Sequence, residues 1–378
     1  MYPALAVLSA ARGEASRETS SDQKALEDDL QILWVGSEAG MEADLVKRAG
    51  VAYQGIPAAG VHGVGWRALP GNLARLWRGF LASRSILREF RPEVLFFTGG
   101  YVAVPMAVAG RLPAPGRTRP GMLLFVPDIE PGLALKVLAR LADRIAVTVE
   151  ASLDYLPRRV PADVTGYPTR PELTGWNKTS GRRALGLRDD LPVLLVFGGS
   201  SGARSINRAL FTALPELLPE MQVLHISGRM DWSDVEDVRT KLSQDLPQEF
   251  VGRYRAFPYL HGEMGAALAS ADLVVSRSGA SSLGEFPLCG LPAVLVPYPY
   301  AWRYQTVNAQ YLEERGAAVI VVDADLPGVL TETVRELMKD HQKLAKMGAA
   351  MRSLAKPNAA QQIAGLLGSL ATSERGAR

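Results

Sequence analysis

Cysteine is all but missing: Cys289 is the only one in 378 residues. That excludes an intrachain disulfide framework and a thiolate zinc cluster, and the setting FPLCGLP is that of a small buried hydrophobe. A reducing compartment is therefore allowed. Histidine is scarce as well. His62, His225, His261 and His341 show no metal-ligand spacing, so no protein-bound metal is expected. No apolar run reaches the roughly 18 residues of a membrane span and no signal peptide opens the chain, so the expectation is a soluble, cytoplasmic protein. The net charge is only +3, and the aromatics, 7% of residues, do not interleave with a basic groove, which argues against a nucleic-acid partner.

What is present reads as globular, with 47% hydrophobic and 21% charged residues. The length exceeds one ordinary core, and two domains of roughly 150 to 200 residues follow. Short apolar runs predict strands at 32–36, 94–98, 122–126 and 144–147, then at 193–197, 223–227, 253–257, 273–276, 293–297 and 318–321. Helical patterns separate them, which predicts parallel α/β architecture. The Pro-rich passage Leu156 to Pro171 is the expected hinge, and the alternation restarts after it. We place an N-terminal domain at 1–163 and a C-terminal domain at 164–352. A last helix at about 353–370 is expected to pack back on the first domain, ahead of a disordered tail at 371–378. Residues Arg12 to Asp29 are polar and read as a mobile insertion.

The stretch Ser276 to Ala309 carries the most chemistry. It lies between the buried-strand patterns ADLVVS and AVLVP, and a helix should begin between them. The small residues Ser278, Gly279, Ala280, Ser281 and Ser282 leave first-turn amides uncovered, a ready site for phosphate oxygens. Glu285 follows where a carboxylate can accept hydrogen bonds from a pair of ribose hydroxyls. Gln305 and Asn308, one helical turn apart, offer amides suited to sugar hydroxyls. Singly, each of these has an ordinary reading as a cap or a surface residue. Their combination at strand C-terminal ends points to a nucleotide-sugar site, because open parallel sheets bind ligands there.

A second constellation is PVLLVFGGSSGARSIN, Pro192 to Asn207, a strand running directly into Gly198, Gly199, Ser200, Ser201 and Gly202. The glycines permit close backbone approach and Ser200 offers a hydroxyl to a phosphate. This is neither the dinucleotide fingerprint nor a P-loop. Arg204 is either a further phosphate partner or a helix-surface charge. Arg170 follows a Gly and a Pro in a turn, where its guanidinium is either a diphosphate clamp or an exposed linker charge. From Trp66 to Pro92, Arg67, Arg75, Arg78, Arg84, Arg88 and Arg91 alternate with apolar residues at three-to-four spacing. Such a helix either lies against anionic lipid headgroups, with Trp77 near the interface, or covers a sheet with a basic outer face.

Six runs resemble the MurG glycosyltransferases almost end to end: YPALAV at Tyr2, FTGGYVAVP at Phe97, PGLALKVLAR at Pro131, TGYPTR at Thr165, GGSSGAR at Gly198 and the signature from Ser276 to Ala309. The resemblance implies the GT-B fold, two Rossmann-like doubly wound parallel-sheet domains facing a cleft. It implies transfer of N-acetylglucosamine from UDP-GlcNAc to undecaprenyl-diphosphate-linked muramoyl-pentapeptide, by single displacement with inversion and with no cofactor or metal. The enzyme would serve peptidoglycan synthesis, and hence cell shape and division, as a peripheral protein on the cytoplasmic face of the membrane. By similarity, Arg170, Gly199 and Ser200 would contact the diphosphate or ribose. The turn Ala280, Ser281, Ser282, Leu283, Gly284 and Glu285 would hold diphosphate and ribose, and Gln305 the donor sugar. The segment around His261 would pass the uracil. Gly99, Gly100 and Tyr101 would line the acceptor diphosphate.

Two departures from the family pattern shape the expectations. Family members open with a strand and a Gly-rich GGTGGH loop directly ahead of the YPAL run. This chain opens at Met1 in that place, so the first strand and loop of the N-terminal domain are read as missing, through a misassigned start or a truncation, and no catalytic base is nominated. The family's HEQN run reads here as Val126, Pro127 and Asp128. Asp128, counted with the donor site, stands where an amide would help hold donor or acceptor; a carboxylate there could serve as a base and would also repel phosphates. A UDP-sugar 2-epimerase, a glycolipid glycosyltransferase, an inactive UDP-sugar-binding remnant and a membrane scaffold are the alternatives.

Overall fold

The computed structural model describes residues 1–13, 30–38, 43–58, 69–112, 118–199, 202–260, 262–300 and 303–376. The chain divides into two compact units, one of Met1–Pro168 with Asn358–Arg378 and one of Thr169–Pro357. The change of unit thus comes at 168/169 and 357/358, a few residues beyond the boundaries read from composition. Among the described residues no helix is long and apolar enough to cross a membrane.

In the first unit, β1 (Leu33–Ser37) pairs in parallel with β2 (Ala52–Ile56), while β3 (Val94–Phe97), β4 (Gly121–Val126), β5 (Arg144–Val147) and β6 (Ala162–Val164) form a separate parallel sheet in that order. β4 is buried along its whole length, as a strand covered on both faces must be. The amphipathic pattern read at 66–92 becomes the helix Leu69–Phe90, packed against the helix Ala103–Arg111. The helix Ala359–Gly376 returns to this unit and packs on β3, β4 and the helix Tyr2–Gly13. It corrects the expected tail: 371–376 are helical, and the Thr372 hydroxyl donates to the Gly368 carbonyl one turn back.

β2 and β6 escape a reading based on apolar runs. β2 alternates exposed and partly buried positions around Tyr53 and Gln54. β6 has only three residues, sits at the sheet edge and follows Pro161, inside the passage expected to be the hinge. The polar stretch expected as an insertion lies, beyond Gly13, outside the described residues.

The second unit holds one six-stranded parallel sheet: β7 (Val193–Phe197), β8 (Gln222–Ile226), β9 (Tyr254–Phe257), β10 (Leu273–Ser276), β11 (Ala293–Leu295) and β12 (Ala318–Ile320), in the spatial order β12-β11-β10-β7-β8-β9. The first strand is central, and the winding reverses between β7 and β10. That reversal makes the crevice beyond their carboxyl ends the natural ligand position of such a sheet. The helix Arg204–Leu217 packs on β7, burying Ile206, Leu210, Ala213, Leu214 and Leu217 on one helical face.

Candidate functional site

The turns singled out from sequence leave adjacent strands on one edge of the second sheet. Phe197 is the register partner of Ser276, and Ser276 that of Leu295, so β7, β10 and β11 end side by side. Beyond β7 the backbone folds into a tight turn in which Gly202 N donates to Gly199 O at 3.0 Å. Two of its glycines are demanded by close neighbours. A Cβ on Gly198 would fall 2.1 Å from that of Ala203, and one on Gly202, at φ +80°, would fall 2.4 Å from Ser227 O. Gly199 has φ +96° and open space before it, so the main chain at this residue is uncovered. Ser200 and Ser201 lie outside the described residues.

Beyond β10 the expected single helix is broken in two. Ala280–Leu283 form a 3-10 turn, Gly284 departs from helical geometry, and a short helix runs from Glu285 to Cys289. The Ala280 and Ser281 amides, first in the turn, take no acceptor among the described residues. Ser282 corrects its assignment. Its amide and its hydroxyl both donate to Gly279 O, at 2.9 and 2.6 Å, and its side chain is buried, so it closes the turn and presents nothing outward. Leu283 is buried in the core, leaving only backbone to a ligand.

Glu285 is 9% exposed, and burial pushes its carboxyl up to about 7, with the Arg170 charge pulling it back down. Arg170 enters on the turn Pro171–Leu173, which is seated by the helix Met264–Ser270. The approach is close enough that a Cβ on Gly265 would fall 2.6 Å from Glu172 O. The carboxylate and guanidinium read separately from sequence therefore act on one another.

Gln305 opens the helix Tyr304–Glu314 beyond β11; its Oε1 accepts from Tyr298 N at 2.9 Å, and its carbonyl accepts from the Ser278 hydroxyl at 2.8 Å. Asn308 corrects its assignment: it is fully buried and donates to Ser278 O at 3.1 Å. It ties this helix to the turn after β10 and has no surface to offer a sugar. Arg204, left open by the sequence, pairs with the buried Asp231 at 2.9 Å. Asp231 also accepts from Asn207 Nδ2 at 2.9 Å, and Asn207 Oδ1 meets His225 Nε2 at 3.0 Å. His225 Nδ1 faces the Tyr254 hydroxyl at 2.8 Å, so the ring is neutral with its proton on Nε2, and burial pushes its pKa down to about 3. His261, expected near uracil, lies outside the described residues. Arg277 and Asp323, which the sequence reading passed over, form a partly buried ion pair at 2.5 Å between these turns.

In the first unit, Gly99 (φ +109°) and Gly100 (φ +89°) follow β3, with the exposed ring of Tyr101 beside them at the start of the helix Ala103–Arg111. Asp128 follows β4, which pairs with β3, so these residues share one sheet edge. They belong to a different unit from Arg170, Glu285 and Gln305. Farther along, Leu73, Trp77 and Phe80 face Val104, Val108 and Leu112 across an apolar groove of about 400 Å³. Trp77 is 62% exposed, and Arg75 and Arg78 stand exposed beside it; Arg67 lies outside the described residues.

The comparison with known proteins rests on the same two units. Residues 23–147 match the glycosyltransferase family 28 N-terminal domain and residues 193–363 its C-terminal domain. The UDP-N-acetylglucosamine--N-acetylmuramyl-(pentapeptide) pyrophosphoryl-undecaprenol N-acetylglucosamine transferase of Roseiflexus sp. (strain RS-1) is 40% identical, over 98% of this chain and 92% of its own length. The chain belongs to the MurG family. The transferase of the same name from Desulforudis audaxviator is 38% identical over 98% of this chain and 95% of its own length. The crystal structure of Acinetobacter baumannii MurG superposes with a TM-score of 0.71 at 26% identity, covering 97% of this chain and 95% of that one. A UDP-GlcNAc 2-epimerase from Neisseria meningitidis, at 11% identity and a TM-score of 0.63, shares the fold. The architecture is thus the two-unit GT-B type of this family's glycosyltransferases.

Proposed function

We propose that this chain transfers N-acetylglucosamine from UDP-GlcNAc to the muramoyl-pentapeptide carried on undecaprenyl diphosphate, the reaction for which its MurG relatives are named. The observation that carries the reading is the convergence of the Gly198–Gly202 turn, the Ala280–Glu285 turn and Gln305 on three neighbouring strand ends at the reversal of the second sheet. The donor diphosphate lies over the uncovered main chain at Gly199, with Ser200 next in sequence, and over the Ala280 and Ser281 amides. Arg170 supplies the positive charge. Glu285, as the carboxylate, accepts from the ribose hydroxyls, Gln305 reads the hexose, and the segment at His261 passes the uracil. As the acceptor hydroxyl attacks the anomeric carbon, the C–O bond to UDP breaks with inversion. The charge developing on the diphosphate is met by fixed amides and the guanidinium, which supply the stabilisation without a metal or cofactor.

Gly99, Gly100 and Tyr101 are proposed to meet the acceptor diphosphate side, and Asp128 is kept with the donor-site residues. The apolar groove beside Arg75 and Arg78 is the surface proposed to rest on an anionic membrane, placing the enzyme peripherally on the cytoplasmic face, where lipid-linked cell-wall precursors for growth, shape and division are completed. The test is transfer of labelled sugar from UDP-GlcNAc to a short-prenyl diphosphate acceptor, with the anomeric configuration of the product read by NMR. A β-linked disaccharide lipid is expected. Labelled free sugar or epimerised donor in place of lipid product overturns the reading.

A further inference from the structure

Arg277 leaves β10 directly and is almost wholly enclosed, its side chain 10% exposed. Its Nη1 donates to Val296 O at 3.0 Å and to Asp323 Oδ1 at 2.5 Å, and its Nη2 donates to Ser205 Oγ at 2.7 Å. Ser205 Oγ in turn donates to the same Asp323 oxygen at 2.7 Å. The guanidinium carbon stands 5.2 Å from the centre of the Tyr298 ring, within cation–π range. These partners come from four places. Ser205 lies in the first turn of the helix after the glycine turn of β7, Val296 follows β11, Asp323 follows β12, and Tyr298 begins the turn that leads to Gln305. Only a planar fork with several donors in fixed directions can hold them all at once.

The connection continues to the hexose-reading residue. Tyr298 N donates to Gln305 Oε1 at 2.9 Å, which fixes the amide orientation and turns its Nε2 away from that carbonyl oxygen's partner. We infer that the Arg277–Asp323 pair is a positioning clamp: by holding Tyr298 against the start of the β7 helix, it sets the distance between the diphosphate turn and Gln305, and so tunes recognition of the donor's hexose. The charge of Arg277 is answered by Asp323, and three of its five N–H donors are engaged in holding these partners together. The proposal rests on the reading of Gln305 as the hexose contact.

The clamp and a purely structural ion pair differ in what they do to two ligands. UDP lacks the hexose and engages only the turns. Calorimetry with UDP and with UDP-GlcNAc on the full chain separates the cases, using Arg277→Lys, Gln305→Ala, their double variant and Tyr298→Ala. Tyr298 is 44% exposed, so its variant leaves the Arg277–Asp323 pair in place and carries little risk to folding. Arg277→Lys is expected to weaken UDP-GlcNAc about tenfold, the worth of one good hydrogen bond to the sugar, with UDP changed less than about twofold. Gln305→Ala is expected to give the same split, the double variant no further loss, and Tyr298→Ala a smaller loss in the same direction. Equal weakening of both ligands by Arg277→Lys and Tyr298→Ala, or additive losses in the double variant, overturns the clamp. Unchanged UDP-GlcNAc affinity in Gln305→Ala overturns the hexose reading itself. A loss in Gln305→Ala alone, with Arg277→Lys and Tyr298→Ala intact, overturns the clamp and leaves that reading standing.

Discussion

Replacing Glu285 with Gln separates charge from shape at the proposed ribose contact. Burial holds the carboxyl at about 7, so in the free enzyme it changes ionisation across the range in which activity is measured. If only the carboxylate accepts from the ribose diol, donor kcat/KM follows the ionised fraction of the free enzyme. For a group at about 7, that fraction falls about tenfold between about pH 8 and about pH 6. Glu285→Gln, uncharged and still an acceptor through its amide oxygen, is expected to be slower and flat over the same span. Stability moves the other way. The folded pKa is raised above the ordinary 4.5, so the group's contribution is fully present below 4.5 and is lost as the pH rises through about 7. Full ionisation therefore costs up to about 3 kcal/mol, a cost that Gln escapes. Thermal melts of the two proteins are expected to converge at acid pH and to favour the variant at pH above 7. A flat wild-type profile, or a variant that keeps the slope, refutes the assignment of the carboxylate.

Gly202→Ala sets a methyl 2.4 Å from Ser227 O at φ +80°, and a strained backbone of this kind costs about 1–3 kcal/mol. Both the melting temperature and donor affinity are expected to fall, the latter checked by calorimetry with UDP. His225 is held neutral in the core with its pKa lowered from 6.5 to about 3, so the stability it contributes is present above 6.5 and is lost as the pH falls toward 3. His225→Gln is expected to be destabilised at neutral pH yet to show a shallower acid limb in urea titrations at descending pH. Trp77→Glu, at the exposed lip of the groove, is expected to cut sedimentation with anionic vesicles several-fold while UDP binding stays unchanged.

Much of the fold was legible because buried parallel strands announce themselves as unbroken apolar runs: β4 and β10 are buried at every position, and their runs were plain. β2 and β6 were not, since one is half polar and the other three residues long at a sheet edge. At the site, Gly198 could be read because its requirement is local, Ala203 lying only a few residues on, whereas Gly202 answers to Ser227 on a neighbouring strand end. Side-chain direction is not local. Ser282 and Asn308 are the right residue types at the right spacing, yet both turn inward to hold main chain. Arg277 passed unnoticed for the same reason, as its counter-charge Asp323 lies 46 residues away and only the packing of β10 to β12 brings them together.

The return of the helix Ala359–Gly376 to β3 and β4 has a consequence for biosynthesis. Domains ordinarily complete themselves in the order in which they leave the ribosome. Here the second unit has all its residues once Pro357 has emerged, whereas the first still waits for one of its layers. Nascent chains arrested at that point are expected to resist protease across 169–357 while remaining open to cleavage before it. The half of the molecule made first is thus the last to be finished.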